Sequence, residues 1–276
     1  MRVVHTVAEL RVVLAGLHRS GRLALVPTMG ALHEGHMRLL RLARAETDAV
    51  AASIFVNPAQ FNDPADLAAY PRHEAGDAAM AAEAGVDVLF VPAADEVYKP
   101  GHATSISVKG AAVGFEGDRR RGHFDGVALV CTKLFAMFQP HVAYFGQKDA
   151  QQVAVIRQVV RDLSLQIEIR VVPTVRDEHG LALSSRNARL SPAELVRAHA
   201  IPRALRAAMA AHRQGADPVA AARRALGDLT PEYLAVAVFD GVSTLVVAAR
   251  VGATRLIDNV PLDHPDLSGF TGRDLL

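Results

Sequence analysis

Residues 23–36 read Leu-Ala-Leu-Val-Pro-Thr-Met-Gly-Ala-Leu-His-Glu-Gly-His. The four apolar residues Leu23 to Val26 are too few for a helix and too uniformly apolar for a strand with one wet face. They predict a short strand buried on both sides. Pro27 and the Met29-Gly30 pair end it, and a helical pattern starts at about Gly35. A strand that gives way directly to a helix opens a βα unit, and the pattern recurs along the chain. Strands are expected over 23–26, 49–55, 86–91, 142–145 and 167–172, with helices over 35–46, 77–84, 126–138 and 150–162. This alternation predicts an α/β fold built on a mostly parallel, doubly wound sheet. Ligands of such sheets sit beyond the carboxyl ends of the strands, where His33 and His36 follow the first expected strand.

This first domain is expected to run over 1–174. From 175 the texture changes to polar loop, then alanine- and arginine-rich helices over 191–213 and 218–226. Strands return at 233–239, 244–249 and 254–258. A second, smaller α+β domain over 175–276 is the expectation. Ser191-Pro192-Ala193-Glu194 carries an N-cap serine, a proline at the first helical position and a glutamate at the third, which fixes that helix start. The tail from residue 261 reads as irregular.

The 276 residues carry 30 Lys and Arg against 29 Asp and Glu, a net charge of +1. That balance argues against nucleic acid or a membrane surface as principal partner. No apolar stretch approaches the roughly 20 residues of a membrane span, and the first residues lack a leader pattern, so the expectation is a cytoplasmic protein. The single cysteine, Cys131, lies in an apolar run without a histidine-paired signature. It reads as a buried structural thiol before it reads as a nucleophile. Basic residues are nearly all arginine; the lysines are Lys99, Lys109, Lys133 and Lys148.

The histidine segment combines two imidazoles with main-chain N–H groups at a helix start, a setting suited to phosphate. Leu183-Ser184-Ser185-Arg186-Asn187 adds two hydroxyls and a guanidinium, donors for phosphoryl oxygens that leave as pyrophosphate. Together they suggest adenylyl transfer from ATP. In Gly146-Gln147-Lys148-Asp149, Lys148 can reach a phosphate, while Asp149 either caps the next helix or assists a Mg²⁺-bound phosphate. Asn57 and Gln60, near Phe61, either form an ordinary turn or hydrogen-bond a carboxylate or hydroxyls without adding charge, and Gln152 offers a further amide. Arg72 reads as a structural ion-pair partner and Asp77 carries little signal. The basic loop from Arg119 to Asp125 is either a phosphate-neutralising lid or a solvated charge run.

With these segments in order, the chain resembles the pantoate:β-alanine ligase (pantothenate synthetase) family. The resemblance runs through PTMGALHEGH, SIFVNPAQF, YPR, GHFDGV, YFGQKDAQQ, VPTVRDEHGLALSSRN and RLIDN. It implies a Rossmann-like, HxGH-type nucleotidyltransferase core and an ATP-dependent, Mg²⁺-requiring condensation of pantoate with β-alanine through pantoyl adenylate. By position, Met29, Gly30, Ala31, Leu32, His33, Glu34, Gly35 and His36 correspond to the first ATP segment, with His36 the proton donor. Gly146, Gln147, Lys148, Asp149, Val175, Leu183, Ser184, Ser185 and Arg186 correspond to the remaining nucleotide positions. His33, His36, Lys148, Ser184, Ser185 and Arg186 are the expected catalytic set; Gln60, Gln152 and Asn57 are the expected substrate contacts. No metal ligand is assigned. Ala150 and Ala59 depart from the family pattern, where an aromatic and a larger apolar residue are common. The resemblance also implies a homodimer.

Two rivals stand beside this reading. Another HxGH adenylyltransferase would want extra cations for a second phosphate, where this chain offers the neutral Asn57, Gln60 and Gln152. A nucleotide-binding regulator without catalysis would not need the intact His, Lys, Ser and Arg set.

Overall fold

In the computed structural model, which describes residues 1–62 and 64–263, six strands among the described residues form one sheet. They are β1 (Arg2–Val4), β2 (Leu23–Thr28), β3 (Ala49–Ile54), β4 (Val88–Phe90), β5 (Val142–Gly146) and β6 (Glu168–Val172), in the order β1-β4-β3-β2-β5-β6. The pairings β1–β4, β4–β3, β3–β2 and β2–β5 are parallel. From β2 the chain winds through β3 and β4 to one side and through β5 and β6 to the other. The winding therefore reverses between β2 and β5, and the crevice of such a sheet opens at their carboxyl ends.

Two-residue periodicity explains why β2 carries no polar face. Leu23 and Leu25 pack with Leu10, Leu14, Leu134 and Phe138, from the helices Val7–Ser20 and His123–Phe138. Ala24 and Val26 pack with Met37, Leu40 and Ala81, from the helices Glu34–Glu46 and Glu74–Glu83. Burial of each such leucine stabilises the fold by about 1.5–3 kcal/mol before entropy is counted. Cys131 lies among the first of these groups, buried, with its thiol pushed up to about 12 by desolvation. It is a packing residue.

Two features depart from the expectations for this sheet. β6 lies at an edge and alternates, with Glu168 and Arg170 exposed and Val172 buried. Its charges pair with Arg22 and Glu46, which is how an edge strand stays both soluble and unpaired. β1 and the helix Val7–Ser20 were not expected, although Thr6 and Glu9 form a capping box at the helix start.

The described residues divide into one unit of Met1–Phe145 with Gln151–Val172, and a second of Gly146–Ala150 with the described residues from Pro173 onward. The short stretch 146–150 thus belongs with the smaller unit. In that unit β7 (Pro231–Phe239), β8 (Val242–Val251) and β9 (Thr254–Pro261) form an antiparallel sheet in that order. Leu245, Val247 and Val251 pack with Ile201, Leu205 and Met209 of the helix Ala200–Arg213. The helical run expected over 191–213 is two helices, Pro192–Ala198 and Ala200–Arg213. Pro202 is the cause: a continuous helix would drive its ring against the carbonyl of Ala198 and lose a hydrogen bond. Pro261 belongs to β9 rather than to an irregular tail, and residues 264–276 lie outside the described residues.

Candidate active site

In the larger unit the chain leaves β2 at Thr28 and turns through Gly30 and Ala31, both at positive φ (80° and 50°). A non-glycine residue held there costs on the order of 1 kcal/mol or more, so something must hold it. Asp77, buried at 4% exposure, accepts the N–H of Ala31 at 2.9 Å and of Leu32 at 2.8 Å. A Cβ on Gly30 would come within 2.9 Å of both the Asp77 carboxylate and Ile54. Asp77, which carried little signal in the sequence, fixes the loop that delivers the histidines.

His33 caps the helix Glu34–Glu46, its Nδ1 accepting the N–H of Gly35 at 3.1 Å. His36 Nδ1 accepts the N–H of His33 at 3.3 Å. The ring centroids stand 4.2 Å apart. Because a main-chain N–H can only donate, both Nδ1 atoms are acceptors, and Nε2 carries the proton on each neutral ring. Gly35 suits this capping as well, since a Cβ there would lie 2.8 Å from His33 Cε1.

Gln60 ends a short 3₁₀ turn, Pro58–Gln60, capped by Asn57. Its Oε1 accepts from Asn57 Nδ2 at 3.1 Å, and its Nε2 donates to Met29 Sδ at 2.8 Å. The main-chain carbonyl of Gln60 accepts from His123 Nδ1 at 2.9 Å and from Arg120 at 3.3 Å. Arg120 therefore belongs to neither of the roles expected for the basic loop: it braces Gln60. Asn57 is corrected too. Its Oδ1 accepts from Tyr98 Oη at 2.7 Å and from the Ala59 N–H at 3.3 Å, and its Nδ2 donates to Gln60 and to the Gly126 carbonyl. All four hydrogen-bonding positions of a 1% exposed amide are used inside the fold, so Asn57 supports Gln60 rather than touching substrate. Gln152 is half-buried and its amide makes no hydrogen bond among the described residues. Neighbouring Gln151 is buried and donates to the carbonyls of Ala111, Val113 and Gly114. Arg72 donates to the carbonyls of Tyr70 and Leu67 rather than pairing with a carboxylate.

The smaller unit brings together the other expected residues. A tight turn, Asp177–Gly180, pairs Arg176 with Ala182 and lets the Leu183 N–H bond Val175 O at 2.9 Å, so Val175 and Leu183 are neighbours. Ser184 Oγ caps the turn Ser185–Arg189 by accepting the Arg186 N–H at 3.2 Å. Lys148 stands 3.6 Å from Asp149, which pairs with it instead of capping a helix. A pocket in this unit is lined by Lys148, Ser184, Arg186, Asn187, Arg255 and Asp258, among others. Asp258 is neutralised by Arg176. Of the three lining cations Arg255 is paired with Glu232 at 2.7 Å and Lys148 with Asp149 at 3.6 Å, so the lining is basic without a large excess charge and can take a phosphate.

The scaffold of this half lay unassigned in the sequence. Arg176 and Asp258 form a bidentate pair at 2.6 and 3.0 Å, both side chains nearly inaccessible. On the next residue of β9, Asn259 Nδ2 donates to the carbonyls of Gln147 (2.9 Å) and Lys148 (2.8 Å), which fixes the backbone that carries Lys148. The RLIDN segment was the available signal, but nothing local in it says that its last two residues clamp structure far upstream.

The pantoate-beta-alanine ligase family model matches residues 2–261. The pantothenate synthetase of Rhizorhabdus wittichii is 49% identical over 95% of this chain and 99% of its own length. That of Myxococcus xanthus is 47% identical over 97% and 98%. Among solved structures, pantothenate synthetase from Thermus thermophilus superposes with a TM-score of 0.89 at 44% identity, covering 95% of this chain and 99% of that one. The ligase from Francisella tularensis, complexed with β,γ-ATP and β-alanine, superposes with a TM-score of 0.84 at 34% identity over 96% and 98%. Matched in sequence and in fold over nearly its full length, the chain belongs to the pantoate-beta-alanine ligase family.

Proposed function

We infer that the protein condenses pantoate with β-alanine at the expense of ATP, giving pantothenate, AMP and pyrophosphate. One observation carries the reading of the site: in a chain of this family, the histidine pair leaves β2 with Nδ1 of each ring already engaged by a main-chain N–H. Both rings are thereby held as neutral Nε2–H donors, suited to charge that grows on a phosphate.

In the first step a pantoate carboxylate oxygen attacks the α-phosphorus, and the bond to the β-phosphate oxygen breaks, releasing pyrophosphate. His36, with His33 beside it, donates to the phosphate oxygens on which charge builds. Lys148, Ser184, Ser185 and Arg186 hold the leaving pyrophosphate, supported by the cationic pocket of the smaller unit. Gln60 and Gln152 orient pantoate. In the second step the amine of β-alanine attacks the acyl carbon and AMP leaves. Adenylation replaces a poor leaving group by a good one, and both steps are served by positioning and charge stabilisation without an enzyme nucleophile. Mg²⁺ enters as part of the nucleotide substrate; Asp149, half exposed beside Lys148, is the carboxylate suited to it. We place the enzyme in the cytoplasm and, on family resemblance, as a homodimer, with the larger domain binding ATP and pantoate and the smaller contributing the Leu183–Asn187 segment.

β-Alanine-dependent AMP formation from pantoate and ATP tests the overall reaction. Pantoate alone, with Mg²⁺ and ATP, is expected to support positional isotope exchange in ATP; exchange seen only with β-alanine present would remove the separate adenylate step. Gln60→Ala is expected to weaken pantoate much more than ATP, since a neutral amide has no phosphate to hold. Equal losses for the two would take Gln60 out of the acid site.

A further inference from the structure

The chemistry of the partners around Asn57 decides which way its amide points. The Gly126 carbonyl, 3.0 Å away, can only accept, so it faces Nδ2; the Ala59 N–H, at 3.3 Å, can only donate, so it faces Oδ1. With Asn57 fixed in this sense, its second Nδ2 proton goes to Gln60 Oε1 at 3.1 Å. The Gln60 amide then has one orientation: oxygen inward on Asn57, nitrogen toward Met29 Sδ. A thioether is a weak acceptor, readily exchanged for an oxygen.

The remaining support comes from Tyr98, whose Oη donates to Asn57 Oδ1 at 2.7 Å, the shorter of the two bonds to that oxygen. Its ring packs against Phe55 at 6.1 Å between centroids, with Lys133 Nζ 5.5 Å from its own centroid. Burial, and the nearby Cys131, push the Tyr98 hydroxyl up to about 12, so it stays a protonated donor.

We propose that Tyr98 is a positioning residue for the acid substrate: through Asn57 it holds the Gln60 amide with its N–H side presented, making this subsite selective for an oxygen acceptor. The proposal rests on the assignment of Gln60 to pantoate. No contact of Tyr98 with substrate is required. Its hydroxyl acts two hydrogen bonds away, and no motif in the sequence singles it out.

The test varies pantoate, ATP and β-alanine separately for wild type, Tyr98→Phe and Asn57→Asp. Tyr98→Phe keeps the ring and removes the shorter of the two hydrogen bonds to Asn57 Oδ1, leaving that oxygen only the Ala59 N–H at 3.3 Å. Its pantoate KM is expected to rise about tenfold, with kcat and the ATP KM within about twofold. Asn57→Asp, where ionised, can only accept, so it turns the Gln60 amide around to present Oε1; its pantoate KM, measured across pH, is expected to rise by on the order of a hundredfold on the alkaline side. A Tyr98→Phe enzyme with unchanged pantoate KM overturns the proposal. So does an equal rise for ATP, which is what general loosening of the fold would give. If Tyr98→Phe is too unstable to assay, Asn57→Asp decides by the same split. A wild-type protein without β-alanine-dependent AMP formation refutes the functional reading itself, whereas an active wild type with a silent Tyr98→Phe refutes only the relay.

Discussion

Replacing His36 with alanine is expected to slow formation of pantoyl adenylate by on the order of a hundredfold or more, the loss typical of removing one preorganised donor. ATP affinity should stay within about tenfold. The separation follows from when the interaction is made. His36 is held as a neutral donor by the His33 N–H at 3.3 Å, so in the proposed mechanism it meets a ground-state phosphate as a modest hydrogen bond. As the α-phosphate is attacked and charge accumulates, the same donor gains strength without having to reorient. Lys148→Ala should act likewise, since in the proposed mechanism its charge is matched to the pyrophosphate that separates during the step. Single-turnover measurement of adenylate formation, paired with direct ATP binding, resolves the two effects. A His36→Ala enzyme that loses ATP binding while keeping a near-normal adenylation rate would make the histidine a docking residue and refute its role in stabilising the transition state.

Arg176→Ala should cost about 3–5 kcal/mol of stability in the smaller unit, because it strands the Asp258 carboxylate in a buried position. The loss exceeds what the pair contributes. Two ions taken out of water have already spent most of their mutual attraction on desolvation, so removal of one leaves the other's penalty uncompensated. Replacing both, as Arg176→Met with Asp258→Leu, should therefore recover more than half of the stability lost in the single variant. Melting temperature and denaturant unfolding check this; a drop of roughly 10 °C for the single variant is expected. A single variant within about 1 kcal/mol of wild type would show that the carboxylate is relieved in some other way. Activity of the stabilised double variant carries separate information. Asn259, the neighbour of Asp258 on β9, clamps the Gln147 and Lys148 carbonyls, so displacement of β9 should appear as lost adenylation rate.

The sequence by itself determined the fold class, because the strand and helix patterns are written locally. A buried parallel strand needs a run of apolar residues, which is visible at Leu23 to Val26 without knowledge of its neighbours. A histidine pair three apart suggests little by itself; the strand end before it, Gly35 within it and the helix start there made phosphate chemistry the expectation. The capping signals were equally local: Ser191 to Glu194 was read, and Thr6 to Glu9 was there to be read. Pro202 was there to be read too: inside the helical run expected over 191–213 its ring clashes with the carbonyl four residues back whatever surrounds it.

Tertiary structure alone decided which residues hold the reacting groups in place. Asp77 lies 45 residues from the Leu32 N–H it accepts, and Tyr98 lies 41 residues from Asn57. Arg176 is 82 residues from Asp258, and Asn259 is 111 from Lys148. None of these pairs has a periodicity or a motif linking its members. Each exists because folding removes a polar group from water, and a buried donor or acceptor left without a partner costs about 1–3 kcal/mol. That requirement fixed Asn57 as well: its residue type suited a substrate contact, but the four partners that surround it in the fold use every hydrogen bond the amide can make.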